Sequence, residues 1–195
     1  MKFISAATAL SAVLAAKGAA TGSGEACGPI TRGLANYDRP FVLPLYNACL
    51  NSLDSTLEAH ENPWISKTCV AAAIAATADE MGRGLTCDHY ENVTERSTWP
   101  SLDYNVYASI VGDCAWASGG CPITQQNFID LIYGTISETS GGPYPDSANT
   151  LITYYLDPIF TWTAFDASQG IPYLNFNDWL HWSGPYSHCY PYACD

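Results

Sequence analysis

Basic residues are scarce in this chain. Seven Lys and Arg stand against nineteen Asp and Glu, a formal net charge of −12 at pH 7. A phosphate backbone or an anionic lipid surface is repelled by such a field, so neither nucleic acid nor membrane is an expected partner. Several catalytic signatures are missing too. There is no GxSxG elbow, no HExxH helix and no CxxC or CxxH spacing that would hold zinc. The copper oxygenases that attack polysaccharides need a histidine at the start of the processed chain, and none lies there. Cys87-Asp88-His89 reverses the pair used by secreted phospholipases and follows a helix-breaking glycine. Neither a cofactor nor a metal is therefore expected. Charged residues make up only 13% of the chain and aromatics another 13%. That balance describes a packed globule rather than a disordered tail.

What is present points outward from the cell. Lys2, the apolar run Phe3 to Ala16 and the small residues Gly18 to Ala20 have the layout of a secretory signal over residues 1–20. The run is too short to span a bilayer and no second one follows, so no membrane attachment is expected after cleavage. Losing Lys2 and Lys17 with the leader takes the net charge from −12 to −14. All eight cysteines lie in residues 21–195, and an even count in an exported chain reads as four disulfides. Asn92-Val93-Thr94 is a glycosylation sequon, which places Asn92 in a surface loop.

The periodicity predicts one mostly α domain of about six helices, with room for a small hairpin between Gly84 and Pro100. A Gly-rich leader, Thr21 to Arg32, precedes the first helical pattern, in which Leu45, Cys49 and Leu53 recur every fourth residue. Asn62-Pro63 opens a second helix, SKTCVAAAIAATADEM, ended by Gly82 and Gly84. Its alanines let another backbone approach closely, which makes it the expected centre of the domain. A third helix spans Tyr104 to Trp116. Thr124 caps the fourth, with Ile123 and Phe128 at hydrophobic-staple spacing. Pro145-Asp146-Ser147 opens the fifth, which Pro158 kinks or splits, and the sixth runs through NFNDWLHW to Gly184-Pro185.

Helix geometry also orders the cysteines. Cys49 and Cys69 stand nearly level if the first two helices form an antiparallel hairpin, so a bridge between them is expected. Cys114–Cys121 and Cys189–Cys194 close short loops, and Cys27–Cys87 follows by elimination. The runs GCPITQQNFIDLIYG and YLNFNDWLHWS, with the leader and the eight cysteines, resemble small secreted cysteine-rich proteins of filamentous fungi, of the basidiomycete kind. The resemblance implies export and carries over no activity and no residue roles.

Two constellations are candidates for function. Asp79 and Glu80 fall at the end of the alanine-rich pattern, where the negative pole of the helix raises a carboxyl pKa. Helix, terminal glutamate and polar loop together look like the lysozyme-type helical hydrolases. By that likeness Glu80 is the general acid, and Glu95 or Asp103 is the second carboxylate. In the C-terminal stretch, Phe176, Trp179 and Leu180 share one apolar face, while Asp178 and His181 lie opposite and Trp182 sits on the rim. Asp178 and His181 read as an ordinary surface pair. Trp182, Tyr186 and Tyr190 make the better candidate, as a sugar-stacking patch. The expected function is extracellular contact with cell-wall polysaccharide or with protein surfaces. The alternative is a small acid glycoside hydrolase.

Overall fold

A computed structural model describes residues 24–36, 38–53, 62–87 and 95–184. The leader, Asn92, Tyr186, Tyr190, Cys189 and Cys194 lie outside the described residues. Among those described the domain is helical, and the one β-type contact is an antiparallel bridge between Ile123 and Ile171. No helix there is long and apolar enough to cross a membrane.

The chain departs from expectation at its start. The Gly-rich stretch forms helix α1, Gly24–Leu34, in spite of an internal Pro29. Cys27, Ile30 and Leu34 recur at helical spacing; Ile30 and Leu34 are buried, and Cys27 is bonded to Cys87 with Cα atoms 5.7 Å apart. Anchoring to the core outweighs the local cost of Gly and Pro here. Helix α2, Val42–Leu53, follows and buries Val42, Leu45, Tyr46, Cys49 and Leu53.

Asn62 caps a short turn, Pro63–Ile65, by accepting from the Trp64 amide at 3.0 Å, and helix α3 runs over Lys67–Ala76. Cys49 is bonded to Cys69 with Cα atoms only 4.4 Å apart. Ser52 meets Ser66 at 2.6 Å, so one chain number rises as the other falls and the two helices are antiparallel. Every residue from Val70 to Ala76 is fully buried, which makes α3 the central helix of the domain.

The alanine-rich pattern does not continue as one helix. Thr77 takes φ 96°, a conformation that β-branched residues rarely adopt, and ends α3. Its hydroxyl then accepts from the Glu80 amide at 3.0 Å and starts helix α4, Ala78–Cys87. Gly82 and Gly84 therefore lie inside a helix rather than ending one. Their role is close approach. A Cβ on Gly84 would lie 2.9 Å from the Tyr46 hydroxyl oxygen, and one on Gly82 would lie 3.3 Å from the Trp99 ring. Alanine normally stabilises a helix interior relative to glycine. At Gly84 the sign should reverse: Gly84→Ala is expected to cost about 1–3 kcal/mol by overpacking, read from a lowered thermal midpoint.

Beyond Pro100 the caps fall where the sequence places them. Helix α5, Tyr104–Val111, is shorter than expected because Gly112 turns the chain at φ 84° into a 3-10 turn, Asp113–Trp116. Thr124 caps helix α6, Gln125–Thr139, in a capping box with Asn127, and both Ile123 and Phe128 are fully buried. Ser147 caps α7, Ala148–Leu151. A π turn, Ile152–Leu156, absorbs Pro158 and leads into α8, Asp157–Thr163. Helix α9, Tyr173–Trp182, buries Phe176, Trp179 and Leu180 as the wheel requires. His181 is the exception to that wheel. It is 6% exposed, with Nε2 3.0 Å from the Trp99 carbonyl oxygen and Nδ1 2.6 Å from that of Asn177. The segment before Pro100 crosses the face that an isolated helix would leave open.

Candidate functional site: an aromatic cleft

Of the acids proposed as catalytic, Glu80 and Asp103 are committed to other contacts, and Glu95 takes part through its backbone alone. Glu80 lies in the first turn of α4, not the last turn of α3, so the helix pole beside it is positive and the dipole argument is corrected. Its carboxyl is nonetheless held above the ordinary 4.5, because burial disfavours the charge more than Arg39 favours it. Arg39 reaches Glu80 at 3.3 Å and also donates to the Gly33 carbonyl at 2.8 Å. Asp103 caps α5, accepting from the amides of Asn105 at 2.8 Å and Val106 at 3.2 Å. Glu95 is exposed and caps the turn Arg96–Thr98, where its carbonyl accepts from the Thr98 amide at 2.8 Å. Trp182 is 62% exposed, as a rim residue should be.

Among the described residues an opening lies elsewhere, beside the loop closed by Cys114 and Cys121. Asp103 fixes the start of α5 and so sets Tyr104 and Tyr107 one turn apart on a single face. Gly119 and Gly120, both at positive φ, turn the chain back to Cys121. Tyr104 donates to the Ala115 carbonyl at 2.6 Å, and Tyr107 donates to the Cys121 carbonyl. These bonds bind the loop to α5.

The facing wall comes from the segment before α9. Ile123 and Ile171 exchange backbone hydrogen bonds at 2.8 Å in both directions, which pins the two loops together. Gly170, at φ 70°, passes so close that a Cβ would lie 2.9 Å from Pro122 Cβ and 3.0 Å from the Ile123 carbonyl oxygen. Tyr173 then enters at the first turn of α9 and donates to the Leu102 carbonyl at 2.5 Å. Its ring centroid lies 5.3 Å from that of Tyr104 and 5.1 Å from that of Tyr107, tilted or edge-on in each case. Three rings thus brace one another at favourable angles. The chain matches no family model, no curated protein and no solved structure.

The cleft is about 490 Å³, within the usual size of a small-ligand site, and Phe165 and Gln169 also line it. None of its lining side chains is charged. Burial raises the Tyr107 and Tyr173 hydroxyls above their ordinary 10.0, so both remain protonated donors at neutral pH. Gln169 is oriented by its own loop. The Asp166 carboxylate accepts from the amides of Ser168 and Gln169, and the Asp166 amide donates back to Gln169 Oε1 at 3.2 Å. That bond holds the Gln169 side chain beside the opening it lines.

Glu80, Glu95 and Asp103 do not line this cleft, and neither does Trp182. A second depression of about 470 Å³, between α2 and the end of α6, carries no aromatic ring among its lining residues. Sequence reasoning passed over Tyr104, Tyr107, Tyr173 and Gln169. The available signal was a tyrosine pair one helical turn apart, just ahead of a Gly-Gly loop closed by two cysteines.

Proposed function

We propose that this is an exported protein that acts by contact, holding an uncharged glycan in the aromatic cleft between α5 and α9. One observation carries the reading: a pocket of about 490 Å³, walled by three hydrogen-bonded tyrosines, contains no charged side chain. Sugar rings present flat C–H faces that pack on aromatic faces, and their hydroxyls pair with the fixed donors and acceptors around them. The acidic net charge sets anionic polymers apart as poor ligands. Four expected disulfides, the leader and the likeness to secreted fungal proteins support an extracellular site of action.

The test is retention of the purified protein on insoluble neutral polysaccharides, with elution by soluble oligosaccharide. Gln169→Ala should weaken binding about three- to tenfold, the net effect of one hydrogen bond, and leave the thermal midpoint unchanged because Gln169 is exposed. Absence of retention on every neutral polymer tried would overturn the reading.

The hydrolase alternative draws on the raised Glu80 pKa, a property that a general acid requires. Against it, the carboxylate faces Arg39 and packs against Gly33, so a substrate would have to displace an ion pair. Release of reducing ends by the wild type, lost in Glu80→Gln, would favour this alternative over simple contact.

A further inference from the structure

An exposed indole stands beside the cleft at Tyr104. The Trp116 ring packs against the Tyr104 ring at a centroid distance of 5.0 Å and an angle of 64°, on the solvent side of the disulfide loop. Trp116 is 63% exposed, although the neighbouring Ala115 is buried at 2%. The turn is held from both directions. Cys114 is bonded to Cys121, and the Tyr104 hydroxyl is bonded to the Ala115 carbonyl. The indole is therefore presented outward by a fixed scaffold. Isolated exposed aromatics are ordinary and need no account. This one shares an edge with a ring that lines the cleft.

Resting on the cleft reading above, we infer that Trp116 forms a second sugar subsite continuous with the cleft. The ligand is then a neutral oligosaccharide rather than a single sugar. The Trp116 ring stands at 64° to that of Tyr104, so its exposed face takes a sugar unit that continues outward from the one held in the cleft. Asp113 stands exposed on the same turn and adds to the repulsion of acidic polysaccharides.

The experiment is calorimetric titration of the full protein with neutral cello- and chito-oligosaccharides of one to six units, repeated on Trp116→Ala and Trp116→Phe. Wild-type affinity should climb with length and then level. Trp116→Ala should bind the longer oligomers about tenfold more weakly, the equivalent of one aromatic contact, and bind the shortest ligands as the wild type does. Trp116→Phe, which keeps a flat ring, should recover part of that loss. An equal loss at every length, no loss at any length, or a Phe variant no better than Ala would overturn the second subsite while the cleft reading stands. Failure of the wild type to bind any of these sugars would remove both.

Discussion

Trp179→Ala should destabilise the domain by about 3–5 kcal/mol, the range for deleting a buried aromatic side chain. Trp179 is fully buried in α9 and stacks on Phe176 with centroids 5.6 Å apart and planes 10° from parallel. Its indole nitrogen has no hydrogen-bond partner among the described residues, so the side chain contributes area and shape rather than a polar contact. Trp179→Phe should accordingly lose much less than the alanine variant. Trp182, three residues on and 62% exposed, is the internal control: Trp182→Ala should shift stability by no more than about 0.5 kcal/mol. Urea or guanidinium titrations of the four proteins decide the matter. Comparable losses from Trp179→Ala and Trp182→Ala would mean that α9 packs through a different face.

A second large effect is expected where α4 meets the start of α2. Arg39, whose side chain is 10% exposed, faces a Glu80 side chain that is 20% exposed. Glu80→Ala should cost about 2–3 kcal/mol, chiefly because it leaves a desolvated guanidinium without its counterion. That figure is reduced from the fully buried case because Glu80 retains some contact with solvent. The double replacement Arg39→Met with Glu80→Leu should recover much of the loss, since two apolar side chains leave no orphan charge.

The same pair predicts a pH dependence. The folded Glu80 holds its proton to higher pH than the unfolded chain, because burial raises its carboxyl above 4.5 in spite of the favourable Arg39 charge. Native Glu80 therefore binds more protons than unfolded Glu80 between those two pKa values. Its contribution to stability is fully present below the unfolded pKa and is lost as pH rises through the folded one. Thermal midpoints measured upward from pH 4.5 should fall more steeply for the wild type than for Glu80→Gln. Parallel curves would show that Glu80 is not the titrating group.

Local chemistry was legible wherever one residue settles one element. Thr124 and Ser147 each accept the amide bond that a cap requires, and Asn62 does so for the turn Pro63–Ile65 rather than for α3. Pro158 stands in the first turn of the helix that resumes after the π turn. The Cys49–Cys69 bridge was legible too, because an antiparallel pair of helices leaves those positions level. Thr77 was not. Nothing in a run of alanines signals that a threonine will take a left-handed φ, and that one residue moved Glu80 from the end of one helix to the start of the next. His181 failed for a different reason: a helical wheel treats the helix alone, whereas Trp99 and Pro100 close over it from elsewhere in the chain. The cleft fell outside the reading because its walls come from distant segments. Tyr104 and Tyr173 belong to one site only after the Ile123–Ile171 bridge has joined their loops.

That bridge gives Gly170 a meaning beyond its backbone angle. The two walls of the cleft stand as near each other as they do because one methyl group is absent. A side chain at 170 would drive against Pro122 and the Ile123 carbonyl, part the paired isoleucines and prise the tyrosine wall from the disulfide loop. The width of the cleft is therefore set at that seam, by a residue that has no side chain. Widening or narrowing of the cleft should begin at that seam, before any of the three tyrosine rings is changed.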